Sequence, residues 1–456
     1  MAGPDAPHVA TDLRAVTTRA LRLAIAVVAV AVVSACFALA FRAGLALVVE
    51  ALGGVDTVSM IAAAPWWERL ALPAAGGLAV GALGLVEARQ KRSGAGVGYV
   101  MEAVVLGSAR IPLVRSAVRA LAAWIAIATG NSLGREGPLI QAGAAVGEAA
   151  RRVFRLDDAA ARLALAAGVA AGFASAYNAP IAAVLFVVEI VTGVLVLEAA
   201  VPVAIASVIA TVITRLAVGA APLYGAHGPG TWRLPELAAF AGLGLLAAPV
   251  GVGFLRALAW AERGWQAIPT PWRAGLGGLA CGAVLCALPA ASGNGFEPLR
   301  ALLDGKIAAA AIGWLVLGKL AATAASVGSG QPGGVFTPTL LIGGCAGALY
   351  ALALRAVLGD AATAAPELYA LVGFAATLAA TTHAPLMATV LACELSGDYG
   401  LVLPLLVATA LAAGLARRLY VDSVYTAELS RRGVRWRLTL DGRRTIESQL
   451  DAVDVV

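Results

Sequence analysis

Glu136 is a carboxylate set in apolar surroundings. It belongs to Gly134-Arg135-Glu136-Gly137-Pro138, which puts two ionisable residues between strongly apolar stretches, where desolvation is costly. The glycines permit tight turns or a close backbone approach. Pro138 suits the first turn of a following helix, where its missing N–H costs nothing. An exposed helix N-terminus offers amide donors to an anion. A charged Glu136 can occupy that place and a protonated one can vacate it, which is the chemistry of a proton-sensitive gate. A pairing of Arg135 with Glu136 that only holds the turn is the plainer alternative, yet adjacent helical residues do not face each other.

A second break carries related chemistry. Gly333-Gly334-Val335-Phe336-Thr337-Pro338 offers backbone N–H groups just before a long apolar segment, and a glycine-rich nest ahead of a helix can cradle an anion. It lacks the Lys-Ser/Thr ending of a nucleotide loop. A simple packing turn is the alternative. Glu189 and Glu394 each end an apolar run, where a glutamate can reach water or a basic partner. Asn178 is a candidate N-cap. His383 has no second and third ligand nearby and reads as a local hydrogen-bonding residue. Tyr425 supplies a late hydroxyl donor.

The elements that position these groups are written twice. Asn178-Ala179-Pro180 and His383-Ala384-Pro385 each open an apolar run, with a glutamate eleven residues after the first polar residue. Pro138, Gly143 and Gly147 recur 200 residues later as Pro338, Gly343 and Gly347, and Gly168 recurs 205 residues later as Gly373. Duplicated units with short, broken apolar segments point to a transport site between repeats. The expected organisation is a polar tail or peripheral helix over 1–17, a first membrane repeat over 18–220, a Pro/Gly-rich linker over 221–235, a second membrane repeat over 236–429 and a short cytoplasmic tail over 430–456. An odd number of crossings per unit would make the repeats antiparallel.

Composition sets the solvent. The 456 residues are 60% hydrophobic and 13% charged, against roughly 25% charged in a soluble protein. Apolar stretches recur from Leu21 to Leu419. Several are shorter than the ~20 residues of a typical spanning helix, or are cut by Gly and Pro, and suit helices buried within protein. The 52 glycines favour close helix packing. Five cysteines, all in apolar segments and without metal spacing, read as buried structural thiols. Trp66 and Trp67 suit the headgroup layer. Arg14, Arg19 and Arg22 precede the first long run, and Arg417 and Arg418 close the last. By the positive-inside tendency both termini are cytoplasmic, in a multi-pass inner-membrane protein. The net charge of +6 is scattered and needs no nucleic-acid partner.

These motifs, in this order, resemble the CLC family of chloride channels and chloride/proton antiporters. The residues that carry the resemblance are Gly134 to Pro138, Gly330 to Pro338, Asn178 to Pro180, and the stretch from Glu394 through Ser396-Gly397-Asp398-Tyr399 to Pro404. It implies an all-α membrane protein of CLC-type fold, with two inverted-topology repeats of broken, tilted helices. It further implies a homodimer in the lipid bilayer, with one anion pathway per subunit, bound chloride ions and no other cofactor or metal. Carried onto this chain, Glu136 is the gating glutamate. Val335, Phe336 and Tyr425 bind the anion, and Gly134, Arg135 and Gly137 shape the outer path. The family's first anion motif, Gly-Ser-Gly-Ile-Pro, is matched by Gly94-Ala95-Gly96-Val97-Gly98, which lacks the serine hydroxyl and the proline. Coupled members usually carry an inner proton-transfer glutamate just after the position of Glu189, where this chain has Ile190; channel-like members have an apolar residue there, and some exchangers tolerate changes.

The expected function is therefore a passive chloride channel with a protonatable gate, and not an enzyme. The nearest alternative is a chloride/proton antiporter with a non-standard inner proton path. From another class, an intramembrane hydrolase could draw on Ser132, His383 and Glu136, though no spacing ties them into a triad.

Overall fold

Glycine and proline cut an apolar chain into helices, many of them too short to span a membrane alone. The computed structural model describes residues 6–88, 96–106, 110–194, 197–225, 232–359, 364–431, 434–438 and 444–448. The first half contains α1 (Ala6–Ala51), α2 (Thr57–Ala63), α3 (Trp66–Ala88), α4 (Val97–Leu106), α5 (Leu113–Ala128), α6 (Glu136–Val153), α7 (Asp158–Tyr177), α8 (Pro180–Leu185), a π-helical turn over Phe186–Thr192, and α9 (Leu197–Val218). The second half contains α10 (Leu237–Trp265), α11 (Thr270–Ala287), α12 (Phe296–Leu303), α13 (Ala309–Gly328), α14 (Phe336–Leu358), α15 (Pro366–Thr382), α16 (Pro385–Ser396) and α17 (Val402–Leu419). After these come α18 (Thr426–Arg431) and an antiparallel hairpin of β1 (Val434–Leu438) and β2 (Arg444–Ser448).

Seven of the described helices are long and apolar enough to cross a membrane. The membrane body is all-α, and the hairpin lies in the tail beyond it. Residues 6–17, read from sequence as a polar tail or a peripheral helix, continue into α1 as one helix. The short helix α12 and the hairpin were not foreseen. Trp66 and Trp67 open α3 and are largely exposed, as an interfacial position requires.

The recurring glycines mark the same helix crossing in each half. A Cβ on Gly143 would meet the carbonyl oxygen of Gly168 across α6 and α7, and one on Gly168 would meet the carbonyl of Gly143. Gly343 and Gly373 make the same reciprocal contact between α14 and α15. Here glycine is needed because helix backbones touch directly, which is how helices associate where lipid gives no hydrophobic drive. α7 and α15, which end these crossings, are buried along nearly their whole length.

The two later breaks also match, and one expectation is corrected there. Asn178 does not cap the start of α8. It ends α7 in the left-handed region at φ 57°, and His383 ends α15 in the same way at φ 60°. Asn and His are among the few non-glycine residues that tolerate this conformation. The thiol reading also needs correction. Cys281, Cys345 and Cys393 are buried, but Cys36 is exposed on α1 and Cys286 is only half-buried.

Candidate functional site

The two glycine-rich breaks meet face to face. The Gly134 amide donates to the Gly334 carbonyl at 2.6 Å and the Gly334 amide returns the bond at 2.7 Å, so one residue from each half forms a minimal antiparallel bridge. A Cβ on either glycine would collide with the Glu136 carboxylate, which lies over this bridge. Absent side chains thus make the space that Glu136 fills.

Glu136 is 1% exposed. Its Oε1 accepts from the Phe336 amide at 2.8 Å, and the Thr337 hydroxyl lies 3.4 Å from Oε2. The carboxylate therefore sits at the N-terminus of α14, where unsatisfied amides and the helix dipole favour negative charge. Thr337 also shares a 3.0 Å hydrogen bond with the buried Tyr177 hydroxyl, and the Phe336 ring packs at 5.3 Å from Tyr177 and 5.6 Å from Phe173. Val335 is the residue before α14 and is 9% exposed. The Arg135 guanidinium donates to the Ala176 carbonyl at 3.3 Å, a role in holding α6 against the end of α7. Gly137 faces the Gly334 backbone.

A cavity of about 550 Å³ reaches this carboxylate. Glu136, Gly137, Val335 and Tyr425 all line it, so the structure gathers these four sequence-predicted residues around one space. Gly96 lines it too, at φ +92°, with its amide donating to Gln141 Oε1 at 3.3 Å. Gly94 and Ala95 lie outside the described residues. The Tyr425 ring packs edge-on against Phe186 at 5.8 Å. Ile190 lies in the π-helical turn and is 3% exposed. Its side chain is packed in the core, and π turns recur at functional sites.

Glu189 and Glu394 do more than end their helices. Glu394 accepts from the Ile181 and Ala182 amides at 2.9 and 2.8 Å, at the start of α8 in the other half. Glu189 accepts from the Leu386 and Met387 amides at 3.2 and 2.6 Å, at the start of α16. Each half therefore supplies the carboxylate that caps a broken helix of the other. Arginines flank both places: Arg215 donates to Asn178 Oδ1 at 3.0 Å, and Arg417 donates to the His383 carbonyl.

Sequence reasoning missed several polar groups here. Thr337 stands inside a phrase already singled out, whereas Tyr177 gave no signal. Lys319 could have been found as a lone cation in an apolar helix. It is fully buried on α13, and its ammonium donates to the carbonyls of Ala291, Ser292 and Gly293 at 3.1, 3.4 and 2.8 Å. That cage fixes the loop before α12. The groups considered for hydrolysis are engaged elsewhere. The Ser132 hydroxyl pairs with Thr323 at 2.8 Å and its amide with Ser326, while His383 stands at the α15–α16 break. Among the described residues no group of His, Cys, Asp and Glu could hold a metal ion.

The chain is similar to known proteins along most of its length. The profile of the family described as voltage gated chloride channel matches residues 76–417. A ClcB-like protein of Ralstonia nicotianae is 37% identical over 401 residues, 86% of this chain and 93% of the relative. The voltage-gated ClC-type chloride channel ClcB of Citrobacter koseri is 37% identical over 379 residues, covering 81% and 90% of the two chains. Among solved structures, a slow cyanobacterial Cl⁻/H⁺ antiporter superposes with a TM-score of 0.81 at 24% identity, over 90% of this chain and 98% of that one. A CLC-type fluoride/proton antiporter superposes with a TM-score of 0.74 at 22% identity, over 88% and 96%. At these identities the two structures speak for the fold.

Proposed function

The chain belongs to the CLC family of chloride channels and antiporters, and on that premise we propose that it is a passive inner-membrane anion channel gated by the Glu136 carboxylate. One observation carries the reading: Glu136 Oε1 takes the Phe336 amide at 2.8 Å, the donor that an anion at the α14 N-terminus would need. A carboxylate and a chloride ion compete for the same donors. Protonation removes the charge of Glu136, weakens its hold on the amide and lets it leave to the cavity side. The anion then loses part of its water shell to the amides of Val335 and Phe336 and to the Tyr425 hydroxyl, each of which replaces hydration.

Ile190 supports passive flow over exchange. A buried aliphatic group neither takes up nor passes on a proton, so the position after Glu189 offers no inner carboxylate. The working unit on this reading is a homodimer with one pathway per subunit and both termini cytoplasmic.

The test is reconstitution into liposomes under an imposed chloride gradient, with chloride and proton movements recorded together. The expected result is chloride movement down its gradient without stoichiometric uphill proton movement. Sustained proton pumping driven by chloride alone would replace the channel reading with the antiporter one.

A further inference from the structure

Two helix N-termini border the cavity, and each has a carboxylate on it. Glu136 covers α14. In the same space Glu428, on α18, lies along the first turn of α4. A Cβ built on Gly96 would stand 2.9 Å from Glu428 Oε2, and one on Gly98 would stand 3.2 Å from it and 3.1 Å from the Tyr425 carbonyl oxygen. The family phrase has proline where Gly98 stands. A proline ring there would press on the Glu428 carboxylate, so the glycine and the glutamate fit each other. Glu428 is one helical turn beyond Tyr425 and shares its cavity.

We propose that Glu428 is a second anion-excluding carboxylate, which controls entry at the α4 end of the cavity as Glu136 does at the α14 end. The inference rests on the anion-channel reading. Charged, Glu428 neutralises the positive end of α4 and repels an incoming anion. Protonated, it does neither, and the α4 end becomes attractive to chloride. Among the described residues, the other titratable groups facing the cavity are Arg119 on α5, Glu136 on α6, Glu262 on α10 and Tyr425 itself, with Gln141 and Gln266 as neutral donors and acceptors, and Arg431 stands one turn beyond Glu428 on α18. Farther along α4 stand Tyr99 and Glu102, and β1, which also packs on α18, carries Arg435 and Arg437. Among the described lining residues the carboxylates are Glu136, Glu262 and Glu428, and the cation is Arg119.

Chloride efflux from liposomes tests this, with pH varied on one side at a time and wild type, Glu428→Gln and Glu136→Gln run in parallel. Glu428→Gln should raise efflux about threefold to tenfold at neutral pH. It should also remove the activation seen on acidifying the α18 side, while acid activation through Glu136 persists. A cysteine variant keeps the test decisive if the amide disturbs α4. Glu428→Cys treated with an anionic thiol reagent should return to low flux, and with a cationic reagent should rise further, against treated wild type as the control for the native cysteines. An unchanged flux and pH profile in Glu428→Gln overturns the proposal, as does equal action of the two reagents. Loss of flux in the intact dimer, with no response to reagent charge, assigns Glu428 to holding α4 instead. Chloride-driven proton pumping by wild type would overturn the channel reading itself, a result independent of any Glu428 variant.

Discussion

If Glu136 is the gate proposed above, replacing it by Gln keeps the shape of the side chain and removes its charge. In the structure the carboxylate accepts one well-formed bond, from the Phe336 amide at 2.8 Å, and one marginal bond, from Thr337 at 3.4 Å. A hydrogen bond to a charged acceptor contributes about 1.5–3 kcal/mol and a neutral one about 0.5–1.5 kcal/mol. The contact at 3.4 Å adds little. The amide is therefore held about 1–1.5 kcal/mol less tightly, which is roughly fivefold to fifteenfold in the ratio of open to closed. Chloride efflux from liposomes at neutral pH should rise by that factor, and the increase on acidification should largely vanish. Glu136→Ala, which leaves the Phe336 amide with no competitor, should match or exceed it. If Glu136→Gln abolishes flux in a monodisperse, folded protein, the carboxylate is a structural partner and the proposed gate is refuted. Equal flux in wild type and variant at every pH refutes it as well.

Other expectations follow from the packing and the caps. Glu189→Ala and Glu394→Ala each strand two helix-terminal amides, so each should destabilise the purified protein by about 1–3 kcal/mol. Their effects should add in thermal unfolding in detergent, and an unshifted melting curve for both would deny them the capping role. Gly168→Ala places a methyl group on the Gly143 carbonyl and should cost about 1–3 kcal/mol by overpacking; a melting temperature equal to wild type would mean that α6 and α7 separate easily. Asp157, outside the membrane spans, caps α7, and the Ala160 amide and then Arg19 hold its carboxyl below the usual carboxylate range. A lowered folded-state value stabilises above the unfolded one and is lost as pH falls through the folded one. Asp157→Asn should therefore flatten the acid limb of the stability profile below about pH 4, by less than 1 kcal/mol because the carboxylate is screened by water. An unaltered acid limb would exclude the effect.

The broken helices were legible because each break is written in the residues that make it. Gly134, Pro138, Gly333 and Pro338 could be read directly, and so could the glycines of the two helix crossings, since backbone contact admits no side chain. What joins the breaks was not legible. The bridge between Gly134 and Gly334 and the caps from Glu189 and Glu394 pair residues about 200 positions apart, and no local pattern records a partner. Asn178 was misread because the same short polar side chain suits both an N-cap and a left-handed helix end. α12 escaped notice because eight residues holding Pro298, Glu297 and Arg300 show little hydrophobic run. Glu428 belongs to no motif that the sequence displays. Only the fold turns it toward Gly96.

The crossed caps bear on how the protein is made. When the first half has entered the membrane, the Ile181 and Ala182 amides still await Glu394, which is synthesised more than 200 residues later. In lipid such open donors are costly, so α8 has no settled end until translation is nearly complete. A nascent chain halted after α9 should therefore hold α8 loosely, expose it to membrane proteases and engage insertion factors for the whole interval. The two halves expressed as separate chains should protect each other from degradation when produced together, and neither should accumulate alone.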